Sequence, residues 1–196
     1  MRLILASASK ARASLLRNAG LDVGVHPANV DESAIKETML ADGADAAEIA
    51  LALAGEKSIL VSRDRDAMVI GADQVLVHDG ILFDKPRSMD EAADHLRTLR
   101  GSTHQLISAV AVSRNGHQVW STAAVACLSM RSFSDTFLDE YLNRFGDLAL
   151  TSVGAYHLEG LGAQLFDQID GDYFTILGLP LLELLAFLRS KDILTE

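Results

Sequence analysis

The chain has 196 residues, 49% hydrophobic and 22% charged, a composition typical of a folded globular protein that buries its own core. Its formal net charge of −10 disfavours a protein that binds long nucleic acids, because such proteins need a basic face, but leaves the binding of a single nucleotide open. The single cysteine, Cys127, excludes an intramolecular disulfide, and its apolar neighbours predict a small core residue in a reducing compartment.

No apolar run has the length of a membrane span or a signal peptide. The N-terminal run MRLILASAS is short and is typical of a first strand, and no run of about 18 apolar residues occurs elsewhere. We therefore expect a cytoplasmic protein without a membrane partner. No linker rich in Pro, Gly or Ser interrupts the chain, so we expect a single domain over residues 1–196. Two lobes with a cleft between them are compatible with this sequence.

In the first half of the chain, apolar patterns predict strands and helices in mixed order. Ser9 has the position of an N-cap and Gly20 that of a helix end, while Asp45 and Glu48 form a capping-box pattern. The predicted elements are a strand over residues 2–6, a helix over 10–18, a strand over 21–27, a helix over about 45–62, and extended segments over 67–71 and 74–78.

The second half is richer in hairpin signals. Asn115-Gly116 between two long extended runs is the strongest of them, Ser88 and Glu91 form another capping-box pattern, and Pro180 precedes the last helix. The predicted elements are a turn at 79–80, a strand over 81–83, a helix over 88–100, strands over 103–113 and 118–130, a helix over 134–144, a strand over 163–169 and a helix over 181–189. The hairpins require antiparallel pairs, so we predict an α/β fold with a mixed, twisted sheet flanked by helices.

The first strand leads directly into a candidate anion site. Ser7 and Ser9 precede the first predicted helix and Arg12 lies on its first turn. A helix N-terminus attracts anions, and hydroxyl and guanidinium groups add further donors. The plainer alternative is an N-capping serine beside a solvated arginine.

Two further segments carry charges whose role is open at this point. Asp31 and Glu32 are adjacent carboxylates that could bind a metal or cap the next helix, and capping is the simpler interpretation. Lys57 lies in a mostly apolar predicted helix, where a surface lysine with a buried stem is the plain expectation. Gly55, two residues before it, is unusual inside a helix and suggests close packing.

Asp73 is the most informative candidate, since an apolar strand delivers its carboxylate at the strand's end. Ligands of open α/β sheets gather beyond the carboxyl ends of strands, and a carboxylate there can accept a proton from water or hold a divalent cation. An ordinary turn aspartate is the alternative. The hairpin after Asp73 is expected to return Lys85 near it, although the sequence FDKP is also typical of an exposed loop.

The segment YHLEGLG places Glu159 between glycines, which indicates a loop against a ligand or another backbone, or a tight surface turn. A carboxylate there could accept hydrogen bonds from a nucleotide base. By contrast, Asp64 and Asp66 resemble the D-x-D of aspartyl phosphatases but precede the strand, and no Walker A loop, G-x-G-x-x-G, G-x-S-x-G or H-E-x-x-H occurs.

Taken together, seven segments resemble the Maf family of nucleoside triphosphate pyrophosphatases. In family order they are LILASAS followed by an arginine, VDE, LAGEK, GADQV, DGILFDKP, GAYHLEGLG and ILGLPLLELL, and they extend from Leu3 to Leu185. The resemblance implies an elongated, two-lobed fold with a central cleft, akin to the inosine triphosphatase fold. It also implies metal-dependent cleavage of a nucleoside triphosphate into a monophosphate and pyrophosphate.

The resemblance further implies roles for individual residues. Asp73 matches the proton acceptor of the family and, with Glu32, would hold a divalent cation such as Mg²⁺, Mn²⁺ or Co²⁺. The positions that match phosphate-binding residues are Ser7, Ser9, Arg12, Lys57 and Lys85. The expected partner is a small nucleoside triphosphate rather than a long nucleic acid, and a homodimer is compatible with the family.

Three positions bear on the base. Gln74 and Glu159 resemble the branch of the family that hydrolyses 7-methyl-GTP, whereas the dTTP/UTP branch has Thr and Gln there. Ala11 departs from that pattern, because the 7-methyl-GTP branch has a tryptophan at this position, and Asp84 replaces the usual glycine before Lys85. A stacked aromatic ring would contribute about 1–2 kcal/mol to binding a cationic base, so its absence weakens the case for 7-methyl-GTP.

Two alternatives to a pyrophosphatase are retained. Maf proteins are also associated with inhibition of septum formation, which implies a non-catalytic nucleotide-binding regulator of cell division. A phosphatase that used Asp64 as its nucleophile would release orthophosphate instead of pyrophosphate.

Overall fold

The structure is a computed structural model that describes residues 2–195, and the chain in it divides into two units made of interleaved segments. Residues 2–74, 107–124 and 173–195 form unit 1, and residues 75–106 and 125–172 form unit 2. Since each unit is assembled from separate segments, neither corresponds to a continuous stretch of sequence that a linker could mark.

The strands form one seven-stranded sheet of mixed direction, in the order β2-β1-β3-β5-β6-β7, with β4 paired to β3. This confirms the predicted α/β fold with a mixed sheet and flanking helices. The strands are β1 (Leu3–Leu5), β2 (Val23–Val25), β3 (Met68–His78), β4 (Ile81–Phe83), β5 (Thr103–Arg114), β6 (His117–Met130) and β7 (Phe166–Asp170). The helices are α1 (Lys10–Asn18), α2 (Glu32–Ala41), α3 (Ala46–Ser62), α4 (Met89–Leu99), α5 (Asp135–Phe145), α6 (Tyr173–Ile176) and α7 (Leu181–Ser190).

In unit 1, β1 is a central strand whose three residues are all buried. It pairs in parallel with β2 and with β3, which explains its continuous apolar sequence, because parallel strands are covered on both faces. Helices α1 and α7 pack onto this part of the sheet through leucines such as Leu16, Leu184 and Leu188, which are in one core with Leu3 and Leu5.

The helix ends of unit 1 follow the predicted caps. The Ser9 side chain accepts a hydrogen bond from the Arg12 amide, and α1 spans the predicted residues 10–18. Asp45 and Glu48 form the full reciprocal capping box at the start of α3. Both central residues of the turn between β5 and β6, Asn115 and Gly116, have positive φ, as a tight hairpin of this type requires.

In unit 2, β3 and β4 form the predicted hairpin around Asp79-Gly80, and β7 pairs antiparallel with β6 from Cys127 onward. Cys127 itself is half-buried on β6 rather than a core residue. The strand predicted over 163–169 begins only at Phe166 as β7, and its first three residues belong to a 3-10 helix over Leu161–Leu165. A 3-10 segment of five residues is too short to give a periodic apolar pattern that would distinguish it from a strand.

Two other predictions need correction. Ser88 caps α4, but the Glu91 carboxylate accepts hydrogen bonds from the backbone and side chain of Arg87 instead of closing the capping box. The two extended segments predicted around Asp73 are one continuous strand, β3, so Asp73 lies within a strand and not at its end. None of the helices within residues 2–195 has both the length and the apolar character that crossing a membrane demands.

Candidate active site

The candidate site of unit 1 lies where the parallel pairing of β1 and β3 stops. The two strands pair in register from Leu3 opposite Met68 to Leu5 opposite Ile70, and the Ala6 amide donates to the Ile70 carbonyl. Beyond this point β1 passes into Ser7, and β3 continues to Asp73. Although Asp73 is inside a strand, it is therefore still at the carboxyl edge of the parallel part, where ligands of such sheets bind.

Ser7 and Ser9 connect this edge to α1. Ser7 is buried, and its hydroxyl accepts hydrogen bonds from the Ser9 amide at 3.2 Å and from Arg12 Nη1 at 3.2 Å. Ser9 caps the helix, so the positive end of the α1 dipole points toward the residues that follow β1. Capping and anion binding, which the sequence posed as alternatives, are compatible here.

Arg12 is held by the backbone on two sides. Its Nε donates to the Gly178 carbonyl at 2.7 Å and its Nη1 to the Ala72 carbonyl at 2.9 Å, so the solvated arginine considered from the sequence is wrong. Burial lowers the pKa of the Arg12 guanidinium, while the negative charges of Asp73 and Glu32 raise it. The nearby carboxylates thus offset part of the cost of desolvating this cation.

Lys57 is the centre of the charge cluster. Its Nζ lies 2.6 Å from Asp73 Oδ1 and 2.7 Å from Glu32 Oε1, and only 7% of Lys57 is exposed. Its prediction as a surface lysine is therefore wrong, because two carboxylates compensate its burial. Asp73 is equally enclosed, with 6% exposure, whereas the Glu32 side chain is 45% exposed.

Asp31 and Glu32 divide the two roles that the sequence left open. The Asp31 side chain accepts a hydrogen bond from the Ala34 amide and caps α2, as predicted. Glu32 begins the helix and reaches Lys57. Adjacent residues at a helix start point in different directions, so one can serve as the cap while the other faces the site.

Gly71, which was not singled out from the sequence, lets α3 approach β3. A Cβ atom at this position would lie 2.1 Å from the Ala54 carbonyl oxygen and 2.8 Å from the Ser58 amide nitrogen. Lys57 is placed on the part of α3 that makes this approach, directly before Ser58. A glycine inside an apolar strand was the available signal, because such a residue often marks close contact with another backbone.

The Gln74 side chain, predicted to influence base preference, is bonded within unit 1. Its Nε2 lies 3.0 Å from Ser108 Oγ, 3.2 Å from the Thr175 carbonyl and 3.0 Å from the Ile176 carbonyl. The amide nitrogen is thus committed to a buried serine and to the end of α6. Ala11 is half-buried on the first turn of α1. The specificity role of both residues stays a prediction.

Lys85 and Glu159 belong to unit 2, and both are exposed. Glu159 lies in a turn that continues into Gly162, where a Cβ atom would come 2.5 Å from the His157 carbonyl oxygen. Gly162 therefore permits a close contact within its own segment, as in the tight turn that the sequence left as one alternative. The assignments of Lys85 to phosphate and Glu159 to the base remain predictions.

The positions of the other acidic residues bear on the phosphatase alternative and on metal binding. Asp64 lies in the turn before β3, at the opposite end of that strand from the parallel edge, as expected from the sequence. Within residues 2–195, no three His, Cys, Asp or Glu side chains gather closely enough to hold a metal ion by themselves. Glu32 and Asp73, which contact the same ammonium, are the paired carboxylates of this site.

The chemistry available at this edge is that of a polyanion site with a carboxylate. Two hydroxyls and a helix N-terminus can donate hydrogen bonds to phosphate oxygens, and two cationic side chains can neutralise their charge. The paired carboxylates supply oxygen ligands, which hard divalent cations prefer. Asp73 additionally supplies a group that can accept a proton.

Comparison with known proteins points in the same direction. A family model described as Maf-like protein matches residues 2–191. A protein from Granulibacter bethesdensis named nucleoside triphosphate pyrophosphatase is 50% identical over the full length of both chains. One from Rhizobium meliloti named 7-methyl-GTP pyrophosphatase is 51% identical, covering 96% of this chain and 95% of its own length.

Identity alone does not separate these two names. A third relative, from Caulobacter vibrioides, is named nucleoside triphosphate pyrophosphatase and is also 51% identical, over 97% of this chain and 96% of its own. Among solved structures, a dITP/XTP pyrophosphatase from Mycobacterium abscessus covers 98% of this chain and 96% of its own at 14% identity, with a TM-score of 0.43.

Proposed function

The chain belongs to the Maf family and is a nucleoside triphosphate pyrophosphatase, and we propose that it cleaves the α–β phosphoanhydride bond at the site around Asp73. The observation that carries this proposal is the position of Lys57 Nζ between Asp73 Oδ1 and Glu32 Oε1. These three residues, together with Ser7 and Arg12, combine phosphate-binding groups with a proton acceptor in unit 1.

Phosphate recognition is assigned to the segment that joins β1 to α1. Ser7 and Ser9 offer hydroxyl groups at the positive end of α1, and Arg12 adds a guanidinium whose position the backbone fixes. A charge-assisted hydrogen bond is roughly twice as strong as a neutral one, so Arg12 is expected to contribute most of this set. Lys85, which matches a phosphate-binding position of the family, is a further proposed phosphate ligand.

Asp73 is suited to the attacking water because only one of its oxygens is used. Lys57 holds Oδ1, and the Asp73 side chain makes no further hydrogen bond with any residue between 2 and 195. The second oxygen is left to accept a proton from water. Lys57 thereby orients the carboxylate, and such positioned proton transfer contributes about 10²–10⁴-fold to a rate.

The donor set fits a divalent metal cofactor. Glu32 and Asp73 would hold the ion, since both carboxylates contact the same Lys57 ammonium and therefore lie close together. Mg²⁺ and similar cations are commonly bound by one or two carboxylates plus phosphate oxygens. When bound, such a cation neutralises charge on the phosphates and polarises the bond that breaks. Mg²⁺, Mn²⁺ and Co²⁺ are the proposed cofactors.

The proposed substrate carries a guanine-type base, as 7-methyl-GTP does. Glu159 offers a carboxylate for the two N–H donors of a guanine edge, and Gln74 occupies the matching family position. The relative from Rhizobium meliloti is named for 7-methyl-GTP and the equally similar one from Caulobacter vibrioides is not, so the choice rests on Glu159 and Gln74. Because Ala11 provides no aromatic face, we expect only a small preference for the methylated base over GTP.

The test is pyrophosphate release by the wild type and by Asp73→Asn over a substrate and metal panel. The panel contains 7-methyl-GTP, GTP, dTTP, UTP and modified pyrimidine triphosphates, each with Mg²⁺, Mn²⁺ or Co²⁺. We expect release from the guanine nucleotides and a loss of about 10²–10⁴-fold in kcat for Asp73→Asn, with an unchanged circular dichroism spectrum.

Three results would count against the proposal. Near wild-type turnover by Asp73→Asn would remove Asp73 from the mechanism, and a preference for dTTP or UTP would overturn the choice of base. Binding of triphosphates without pyrophosphate release across the whole metal panel would instead support the non-catalytic regulator.

A further inference from the structure

A buried hydrogen-bond network lies behind Arg12. Its serine was not identified from the sequence, and its turn was noted only as the start of the segment ILGLPLLELL. Ser108 on β5 is fully buried, and its hydroxyl donates to the Thr175 carbonyl at 2.7 Å while it accepts from Gln74 Nε2 at 3.0 Å. Gln74 also donates to the Ile176 carbonyl at 3.0 Å. The carbonyls of Thr175 and Ile176, at the end of α6, are thus held by side chains from β5 and β3.

The same turn carries the group that fixes Arg12. The Gly178 amide donates to the Thr175 carbonyl at 3.0 Å, and the Gly178 carbonyl accepts from Arg12 Nε at 2.7 Å. Gly178 has φ of +95°, and a Cβ atom there would lie 3.2 Å from both Nε and Nη2 of Arg12. The turn is therefore shaped so that its backbone can meet the guanidinium closely.

The remaining nitrogen of Arg12 is left for a ligand. Nε and Nη1 are used by Gly178, Ala72 and Ser7, whereas Nη2 donates to no partner in the part of the chain that the structure describes. A guanidinium held on one side presents its other donors with little loss of side-chain entropy on binding. Ala72 precedes Asp73, so this fixation also sets Arg12 beside the catalytic carboxylate.

We propose that Ser108 is a positioning residue for phosphate binding, which with Gln74 locks the 175–178 turn and thereby orients Arg12. This inference rests on the proposed function, because it takes Arg12 to be a phosphate ligand. It gives Gln74 a role that is independent of the base. A displaced turn weakens the contact with every triphosphate, whichever base it carries.

Binding of inorganic tripolyphosphate, which has no base, tests the inference directly by isothermal titration calorimetry. We expect Ser108→Ala to weaken this binding roughly tenfold, the loss of about one well-oriented charged contact. The control is Ser62→Ala, which removes a hydroxyl that is equally buried and accepts a hydrogen bond from the Gly116 amide at 3.0 Å. The control should bind tripolyphosphate like the wild type.

The decisive measurement is the effect of Ser108→Ala in an Arg12→Met background. If Ser108 acts through Arg12, adding Ser108→Ala to Arg12→Met causes no further loss of affinity for tripolyphosphate. A general loss of structure would instead weaken binding further in the double variant. An equal effect in both backgrounds overturns the proposal, as does wild-type affinity in Ser108→Ala. If Ser108→Ala fails to fold, Gln74→Met replaces it in these measurements. Gln74 is half-buried, and methionine is similar to glutamine in size but lacks its amide donor.

The two proposals fail in distinguishable ways. A wild-type protein that releases no pyrophosphate from any nucleotide contradicts the proposed function. A wild-type protein that is active, combined with variants that bind tripolyphosphate normally, contradicts only the role of Ser108.

Discussion

At the scale of single residues, Lys57 shows how a partner distant in sequence changes the meaning of a side chain. A lysine among apolar helical residues normally extends its ammonium group into water. Here Asp73 and Glu32 enclose it at 2.6 and 2.7 Å, which makes burial of the charge tolerable. Removing one member of such a cluster leaves the others uncompensated, and this is costly in a buried site.

Replacing Lys57 by Met should therefore lower the free energy of unfolding at neutral pH. The expected loss is about 1–3 kcal/mol, below the range for a fully buried pair because Glu32 is half-exposed. Equilibrium urea unfolding measures it. The double variant Glu32→Gln/Lys57→Met should be more stable than Lys57→Met alone, since it carries one unpaired carboxylate fewer. Wild-type stability of Lys57→Met would contradict the described cluster.

The site residues that could be predicted from the sequence are those whose role depends on their neighbours in sequence. Ser9 and Asp31 cap the helices that follow them, and a cap is determined by residues within one turn. Asp73 was a candidate from its place after an apolar strand, and the resemblance to a known family then assigned roles to Lys57 and Glu32. Ser108 carried no signal, because a serine inside an apolar strand becomes meaningful only when the carbonyl it meets, that of Thr175, is known.

At the scale of elements, two glycines lie at contacts of α3, but they face different kinds of atoms. Gly71 on β3 faces backbone atoms of the helix, with the Ala54 carbonyl oxygen 2.1 Å from a Cβ atom placed there. Gly55 on α3 faces only the end of a side chain, Gln118 Oε1, at 2.6 Å. Backbone atoms of a packed helix cannot move singly, whereas a side chain can rotate away.

This difference predicts opposite outcomes for two identical substitutions. Gly71→Ala should lower the free energy of unfolding by about 2–3 kcal/mol, because α3 must shift away from β3. Gly55→Ala should be neutral or stabilising by up to about 1 kcal/mol, since alanine is the better helix former. Equilibrium guanidinium unfolding of both variants makes the comparison. Equal stability of the two would show that α3 does not depend on Gly71.

The predicted elements succeeded where turns and caps are local and failed where tertiary contacts decide. The hairpin at Asn115-Gly116 and the start of α3 at Asp45 follow from backbone geometry and capping within a few residues. The 3-10 helix over Leu161–Leu165 and the short helix α6 do not, because too few residues are involved to give a periodic pattern.

At the scale of the whole molecule, pH dependence is expected from a histidine inside unit 2. His104 is 1% exposed, its Nε2 lies 2.7 Å from the Tyr156 hydroxyl, and its Nδ1 has no partner within residues 2–195. Burial lowers the pKa of His104 to about 4, with a smaller contribution from His78. Burial also raises the pKa of Tyr156, which stays protonated. The folded protein therefore holds His104 neutral at physiological pH.

The free energy of unfolding should consequently fall as pH decreases between about 6.5 and 4. In this window the unfolded chain binds a proton at residue 104 and the folded chain does not, so stability rises with pH. The full effect is on the order of 3 kcal/mol, from the difference between the ordinary histidine pKa and about 4. Urea unfolding at a series of pH values measures the slope.

Two variants identify the residue responsible for that slope. His104→Phe should flatten it over this range, even though the lost contact with Tyr156 lowers stability at every pH. His117→Asn, at an exposed position on β6, should leave the slope unchanged. A slope that is as steep in His104→Phe as in the wild type would assign the pH dependence to other groups.

The packing of α7 against β1 has a consequence for how the protein folds during its synthesis on the ribosome. Leu3 and Leu5 share their core with Leu184 and Leu188, which are translated only after unit 2 has been completed. Strands β2 and β3 and helix α1 are made early and can cover part of β1, but the contacts of Leu3 and Leu5 with α7 form only after the last helix is translated, and until then that apolar surface is open to chaperones. Unit 1 can therefore complete its core only after unit 2 has been translated, whereas domains made of one continuous segment generally fold as they emerge.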